Sequence, residues 1–303
     1  MNKQTPTQLS LGAVAVMAGL ALLWGANMAV VKLAAGELPP LLQAGLRSLV
    51  GAACLYAWMR FQGVAAFEDR VTVLHGLVTG LMFGAEFGLL YPGMILTSAS
   101  RSYLLLYTSP FFVAVGAHYW LPGDRLNAWK ASGLVLAFGG LMVLFSEKMG
   151  NFSPQALLGD LLSLGAGALW GATTLYLKRY LVSRALPTQL LFYQLLFSAL
   201  PLLAASLLLE GGHPVSLTAY GLFSLFYQAV IVAFLSYLVW FKMIHFYPVS
   251  LVQAFTFFSP VAGVFLSGLW LLGEPVGLRV FLSLGFISLG LVMVNRPRRP
   301  LPA

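Results

Sequence analysis

Charge is scarce in this chain. Its 303 residues include 17 Lys and Arg and 9 Asp and Glu, so 9% are charged, where a soluble domain carries about a quarter. That excludes an ordinary water-soluble domain. Disorder is excluded as well, because 22 Phe, 12 Tyr and 7 Trp are far more aromatic residues than a disordered chain carries. Cysteine is nearly missing. Cys54, alone and inside an apolar run, allows no internal disulfide and no thiolate metal cluster. Catalytic signatures are missing too: there is no HExxH, no GxSxG and no Asp-rich metal motif, and His75, His118, His213 and His245 are scattered. No cofactor and no metal are expected, and the chain is not read as an enzyme.

What is present is apolar length. Hydrophobic residues make up 59%, and runs of the roughly 20 residues that cross a hydrocarbon core occur ten times. They extend over about 11–35, 41–61, 71–96, 102–121, 128–145, 156–180, 188–209, 217–244, 250–272 and 277–294. Turn formers or charges separate them, as in Gly36-Glu37-Leu38-Pro39-Pro40 and Pro122-Gly123-Asp124. The first run exceeds a signal-peptide core and is read as a retained helix. The expected class is an all-α integral membrane protein of ten transmembrane helices.

The net charge of +8 first suggests nucleic acid, but its distribution assigns it to topology. The N-terminus and the loops after helices 2, 4, 6, 8 and 10 carry twelve of the bases, among them Arg60, Arg70, Arg125, Lys178, Arg179 and Arg296. The opposite side carries four, Lys32, Arg101, Lys148 and Arg279, and Arg47 lies within helix 2. Since cytoplasmic loops collect Lys and Arg, both termini are expected in the cytoplasm. No nucleic-acid partner is expected; the partners are membrane lipid and a small-molecule substrate.

The chain also repeats itself. Ala21-Leu22-Leu23-Trp24-Gly25-Ala26-Asn27 is matched 146 positions later by Gly167-Ala168-Leu169-Trp170-Gly171-Ala172-Thr173, and Lys32 by Lys178. Ser109-Pro110, Trp120 and Gly123-Asp124 recur 150 positions on as Ser259-Pro260, Trp270 and Gly273-Glu274. Five helices separate equivalent positions, and five is odd, so the second copy enters the membrane from the other side. The expected units are two inverted five-helix repeats, residues 1–149 and 150–303, forming one membrane domain. A two-fold axis in the membrane plane suits alternating access around a midplane site.

The Trp-Gly-x-Asn of helix 1, the short segment Thr97-Ser98-Ala99-Ser100, the two Ser-Pro pairs and the Gly-Asp and Gly-Glu that follow them resemble the duplicated EamA unit of the drug/metabolite transporter superfamily. The resemblance covers nearly the whole chain. It implies a ten-helix carrier of small organic metabolites in the bacterial inner membrane, most often an exporter. Within that superfamily the chain is similar to amino-acid exporters of the YddG kind.

Several residues are candidates for a site. Glu86 is the only acidic residue deep inside a run, and two readings stand for it. It faces a cavity and meets a substrate amine or a proton, or it forms a structural ion pair with Arg47, which lies at similar depth, roughly 9 Å against 13 Å at 1.5 Å per residue. Trp24, Asn27, Trp170 and Thr173, near the middle of helices 1 and 6, are either substrate contacts or helix packing. Tyr91, Tyr107, Tyr237, Gln228 and Gln253 add hydroxyls and amides that serve a cavity wall or packing, with Tyr91, Tyr107 and Tyr237 taken as substrate-binding candidates. Pro110 and Pro260 are expected to kink helices 4 and 9 and are candidate gating hinges. Gly133, Gly139, Gly140, Gly285 and Gly290 suit close packing within the chain or in a dimer, so a monomer and a weak homodimer both stand.

These features lead to a transporter that exports small neutral metabolites, amino acids first among them and aromatic or other apolar ones included. Its cavity is expected to be lined by helices 1, 3, 4, 6, 8 and 9. Scarce buried charge is compatible with a zwitterion received by hydroxyls, amides and helix ends, and opposes multiply charged phosphates. A broad drug or other-metabolite carrier is the alternative; an integral membrane enzyme acting on lipid, or a channel, is the alternative of another class.

Overall fold

A computed structural model of the chain describes residues 8–34, 36–146, 153–213, 215–266 and 277–296. These residues are helical with short turns, and no strand occurs among them. That follows from the solvent: with no water in a bilayer core, a helix satisfies every backbone group within its own segment. The α-helices are α1 (Leu11–Ala34), α2 (Pro40–Phe61), α3 (Arg70–Leu96), α4 (Ala99–Leu106), α5 (Ser109–Trp120), α6 (Ala128–Phe145), α7 (Pro154–Tyr176), α8 (Pro187–Glu210), α9 (Ala219–Phe226), α10 (Tyr237–Phe246), α11 (Val249–Ala254), α12 (Phe258–Leu266) and α13 (Leu278–Val294). Among the described residues, seven continuous helical stretches are long and apolar enough to cross a bilayer. The protein is therefore a multi-pass membrane protein. The expected matches at Trp270 and Gly273-Glu274, together with Lys3, Lys148, Arg298 and Arg299, lie outside the described residues.

Two expected helices are interrupted rather than bent. The fourth run begins at Ala99, where the Ser98 hydroxyl accepts from Arg101 N (3.2 Å), and breaks at Tyr107-Thr108 before resuming as α5. The ninth tightens into a 3-10 turn over Phe255–Phe257 before α12. In both, the break lies just before the repeated proline, whose ring removes a donor and crowds the preceding turn. Two π-helical stretches, Leu177–Leu181 and Tyr227–Ser236, were not legible in the sequence.

Small residues set how the helices meet. A Cβ on Gly25 of α1 would lie 2.5 Å from Gly263 N of α12, and one on its repeat mate Gly171 of α7 would lie 2.9 Å from Phe112 Cβ of α5. Exchanging the two halves turns one pairing into the other. Gly133 and Gly290 pack α6 and α13 together, each Cβ position falling 2.5 Å from the other's carbonyl oxygen. Gly140 joins them, 2.9 Å from Ile287 and Ser283, whereas Gly139 and Gly285 meet nothing within 4 Å.

Hydrogen bonds sort the loops into two ends. At one end Leu9 N donates to Asn295 Oδ1 (2.7 Å), bringing the start of α1 beside the end of α13. The same end holds the bond from Gln189 Nε2 to Glu68 (2.8 Å) and the contact of Arg296 over Trp129 (4.2 Å). At the other, Glu210 accepts from the amides of Leu41 (2.9 Å) and Leu42 (3.1 Å), a carboxylate at the positive end of α2. Glu37 there accepts from Thr218, and Asp160 holds Thr97 (2.9 Å) and Arg101.

Candidate functional site

Between the helices lies a cavity of about 160 Å³. Trp24, Asn27, Glu86, Tyr91, Tyr107, Trp170, Thr173 and Tyr237 all lie on its wall, so the eight positions singled out in the sequence face one space. Arg47 lies there as well. Sequence reasoning missed Phe83, Phe87, Tyr103, Gln194 and Trp240. The α3 residues carried a signal, because Phe83, Glu86, Phe87, Leu90 and Tyr91 repeat at three- and four-residue intervals and share one helical face. Trp240 carried none, since an aromatic in an apolar run looks the same on either face.

The expected lining needs one correction. Arg47 of α2 and Gln194 of α8 reach the cavity, whereas no described residue of helix 9 lines it. Gln253 is buried and donates to Ser109 Oγ (3.1 Å), and Gln228 donates to Gln43 Oε1 (2.6 Å). Both amides join helices instead of facing the cavity. Pro110 and Pro260 are buried and stand off the wall, next to the interruptions described above.

The aromatic wall is ordered by its own contacts. Trp24 donates from Nε1 to Ser236 Oγ (2.9 Å) and meets Trp240 and Tyr237 edge-on, at centroid distances of 5.1 and 6.0 Å. Phe83 continues this group against Tyr237 (6.4 Å) and Phe87 (5.0 Å), while Tyr107 meets Trp170 edge-on at 5.9 Å. Edge-to-face pairing is the arrangement that ring quadrupoles favour. Such a wall is apolar, with cation-attracting faces.

The polar groups are few and unequal between the halves. Thr173 turns its hydroxyl back to Leu169 O (2.8 Å), so its proton is already used, whereas Asn27 Oδ1 is buried without a partner. Of the two readings for Glu86, the ion pair with Arg47 is not formed. Ion pairs form elsewhere, Arg101 with Asp160 and Lys130 with Asp124 (2.7 Å). The Arg47 guanidinium instead lies over the Phe87 ring, 4.4 Å from its centroid. Phe87 follows Glu86 directly, and on a helix that step turns the two side chains apart.

His75 pairs with Tyr176 OH (2.6 Å) and stacks on Tyr180 (5.3 Å), outside the cavity wall. No group of three or more His, Cys, Asp and Glu gathers among the described residues in a way that would hold a metal.

A bundle of apolar helices around an aromatic cavity with a few polar groups suits a membrane transporter. The chain belongs to the EamA-like transporter family, whose model matches it twice, over residues 11–146 and 157–296. It is 27% identical to the uncharacterized transporter YoaV of Bacillus subtilis, over 92% of this chain and 96% of that one. It is 30% identical, over 84% of each chain, to a Salmonella typhimurium protein named "Probable amino-acid metabolite efflux pump". Over 52% of this chain and 55% of the other, it is 25% identical to the aromatic amino acid exporter YddG of Ancylobacter novellus. A solved crystal structure superposes with a TM-score of 0.78 at 18% identity, over 94% of this chain and 96% of that chain, a likeness of fold alone.

Proposed function

We propose that this transporter exports small neutral amino acids, aromatic and other apolar ones included, by alternating access around the central cavity. In this reading the chain spans the bacterial inner membrane ten times with both termini in the cytoplasm. Residues 1–149 and 150–303 are its inverted halves, and one chain, or a weak homodimer, is the working unit. The observation that carries it is the composition of the wall. Trp24, Trp170, Tyr91, Tyr107 and Tyr237 offer an apolar side chain a cage of ring faces and edges, while Asn27, Thr173 and Glu86 supply polar atoms for a backbone amine. Relatives named for amino-acid efflux and aromatic export support the substrate class. Pro110 and Pro260, beside breaks in equivalent helices, serve as hinges.

Counterflow in proteoliposomes tests this. Vesicles loaded with unlabelled phenylalanine or leucine should accumulate the labelled amino acid transiently and saturably. Linear flux would establish a channel instead, and turnover of lipid an enzyme. Counterflow of hydrophobic cations, with none of amino acids, would establish the broader drug carrier.

A further inference from the structure

Arg47 and Glu86 are buried, 3% and 5% exposed, and each keeps polar atoms without a partner: Nε and Nη2 of Arg47, Oε2 of Glu86. Both line the same cavity. Opposite charges on one wall would ordinarily pair, since a buried unpaired charge is among the most costly features a membrane protein can hold. Here they do not, and the guanidinium rests on Phe87 instead. The cavity wall therefore carries a positive and a negative group that form no ion pair with each other. Asn27 Oδ1 is a further orphaned acceptor on the same wall.

We propose that Arg47 and Glu86 form a two-point clamp for a zwitterion: Arg47 donates to the substrate carboxylate, while Glu86 and Asn27 Oδ1 accept from its ammonium group. This rests on the amino-acid reading above and sharpens it, because it makes both ends of the free amino acid obligatory. A ligand with an amine alone leaves Arg47 uncompensated; one with a carboxylate alone leaves Glu86 so. The guanidinium suits the carboxylate, offering two parallel N–H donors in a fork that lysine cannot reproduce. Amino-acid esters and decarboxylated amines are excluded as good substrates, whatever their ring.

The experiment is competition against labelled phenylalanine counterflow by the full-length protein, using unlabelled phenylalanine, phenethylamine and 3-phenylpropionate. In the unaltered protein the two half-ligands should compete about ten- to a hundredfold more weakly than phenylalanine, the range for losing a hydrogen bond to a charged group. Arg47→Gln should close the gap for phenethylamine and leave that for phenylpropionate; Glu86→Gln should do the reverse. Arg47→Lys, which keeps the charge, should restore part of the discrimination and shows whether loss in Arg47→Gln comes from misfolding. Half-ligands that compete as well as phenylalanine would overturn the clamp while leaving amino-acid transport intact. Variants that weaken every ligand equally would also overturn it, by showing a structural role. Absence of any amino-acid counterflow would remove the functional reading itself, and the clamp with it.

Discussion

The hydroxyls of Ser48 and Ser198 hydrogen-bond to each other at 3.3 Å, and the two residues stand 150 positions apart, the same offset that relates the two Ser-Pro pairs. An equivalent residue touching its own repeat mate is what occurs beside a two-fold axis. The contact joins α2 to α8, both fully buried there. Interhelical polar contacts in membranes contribute about 0.6 kcal/mol on average. Ser48→Ala and Ser198→Ala should each lower thermal stability in detergent by about that amount, and the double variant should fall short of their sum because both remove one interaction. Strictly additive losses would place the two serines in separate interactions.

Near the end that holds both described termini, Lys130 Nζ donates to Asp124 Oδ1 (2.7 Å) and to Ser250 Oγ (2.8 Å), while Ser250 N donates to Asp124 Oδ2 (2.9 Å). Asp124 and Lys130 are 4% and 7% exposed. The cluster ties the loop before α6 to the first turn of α11. Removing one partner of a buried pair costs about 3–5 kcal/mol, mostly because the other charge is stranded. Asp124→Asn and Lys130→Met should each lower the melting temperature strongly, and the double variant should be more stable than either single one. Thermal unfolding of the three proteins checks this ordering.

Much of this arrangement was legible in the sequence. The apolar run read over 128–145 coincides with α6, whose start the structure shows capped by Asn127, its side chain accepting from Lys130 N (2.8 Å). Glu86, Tyr91, Tyr107 and Tyr237 were singled out through polarity, since a polar group in an apolar run needs a place to face, and Trp24, Asn27, Trp170 and Thr173 through the repeat. Arg47 and Glu86 were placed at similar depth, which left pairing and a cavity role both open for Glu86. Depth follows from counting residues, whereas pairing depends on side-chain direction. The π-helical stretches and the contribution of Gln194 left no trace either, because both follow from how neighbouring helices cross.

Asp69 caps α3: its Oδ1 accepts from Val71 N (2.9 Å) and Thr72 N (3.1 Å), and its Oδ2 from Thr72 Oγ1 (2.6 Å). The Thr72 hydroxyl first, then the backbone amides, hold this exposed carboxyl below its ordinary range. A carboxylate whose folded-state value is depressed stabilises the fold above its unfolded value, about 3.9, and loses that contribution as the pH falls through the folded-state value. Between pH 7 and pH 3 the unaltered protein should therefore lose more thermal stability than Asp69→Asn, which keeps a capping oxygen but cannot titrate. Equal losses in the two proteins would remove Asp69 from the acid response.

Pro110 sits at the second position of α5, where an ordinary residue would donate its amide to Leu106 O and carry α4 straight into α5. Tyr103, Leu106 and Tyr107, the cavity residues of this region, lie on the α4 side of the break. At the break Leu105 O accepts from both Thr108 N (3.1 Å) and Thr108 Oγ1 (2.6 Å), which closes the last turn of α4. Pro110→Ala restores the donor and should join the two pieces. If the break lets the cavity side of this helix move while the α5 side stays packed, the substitution should slow counterflow about tenfold, equivalent to about 1.4 kcal/mol, with melting temperature unchanged or raised. Unchanged transport in a protein of raised stability would reduce the break to a structural accommodation of proline and remove the hinge role at this position.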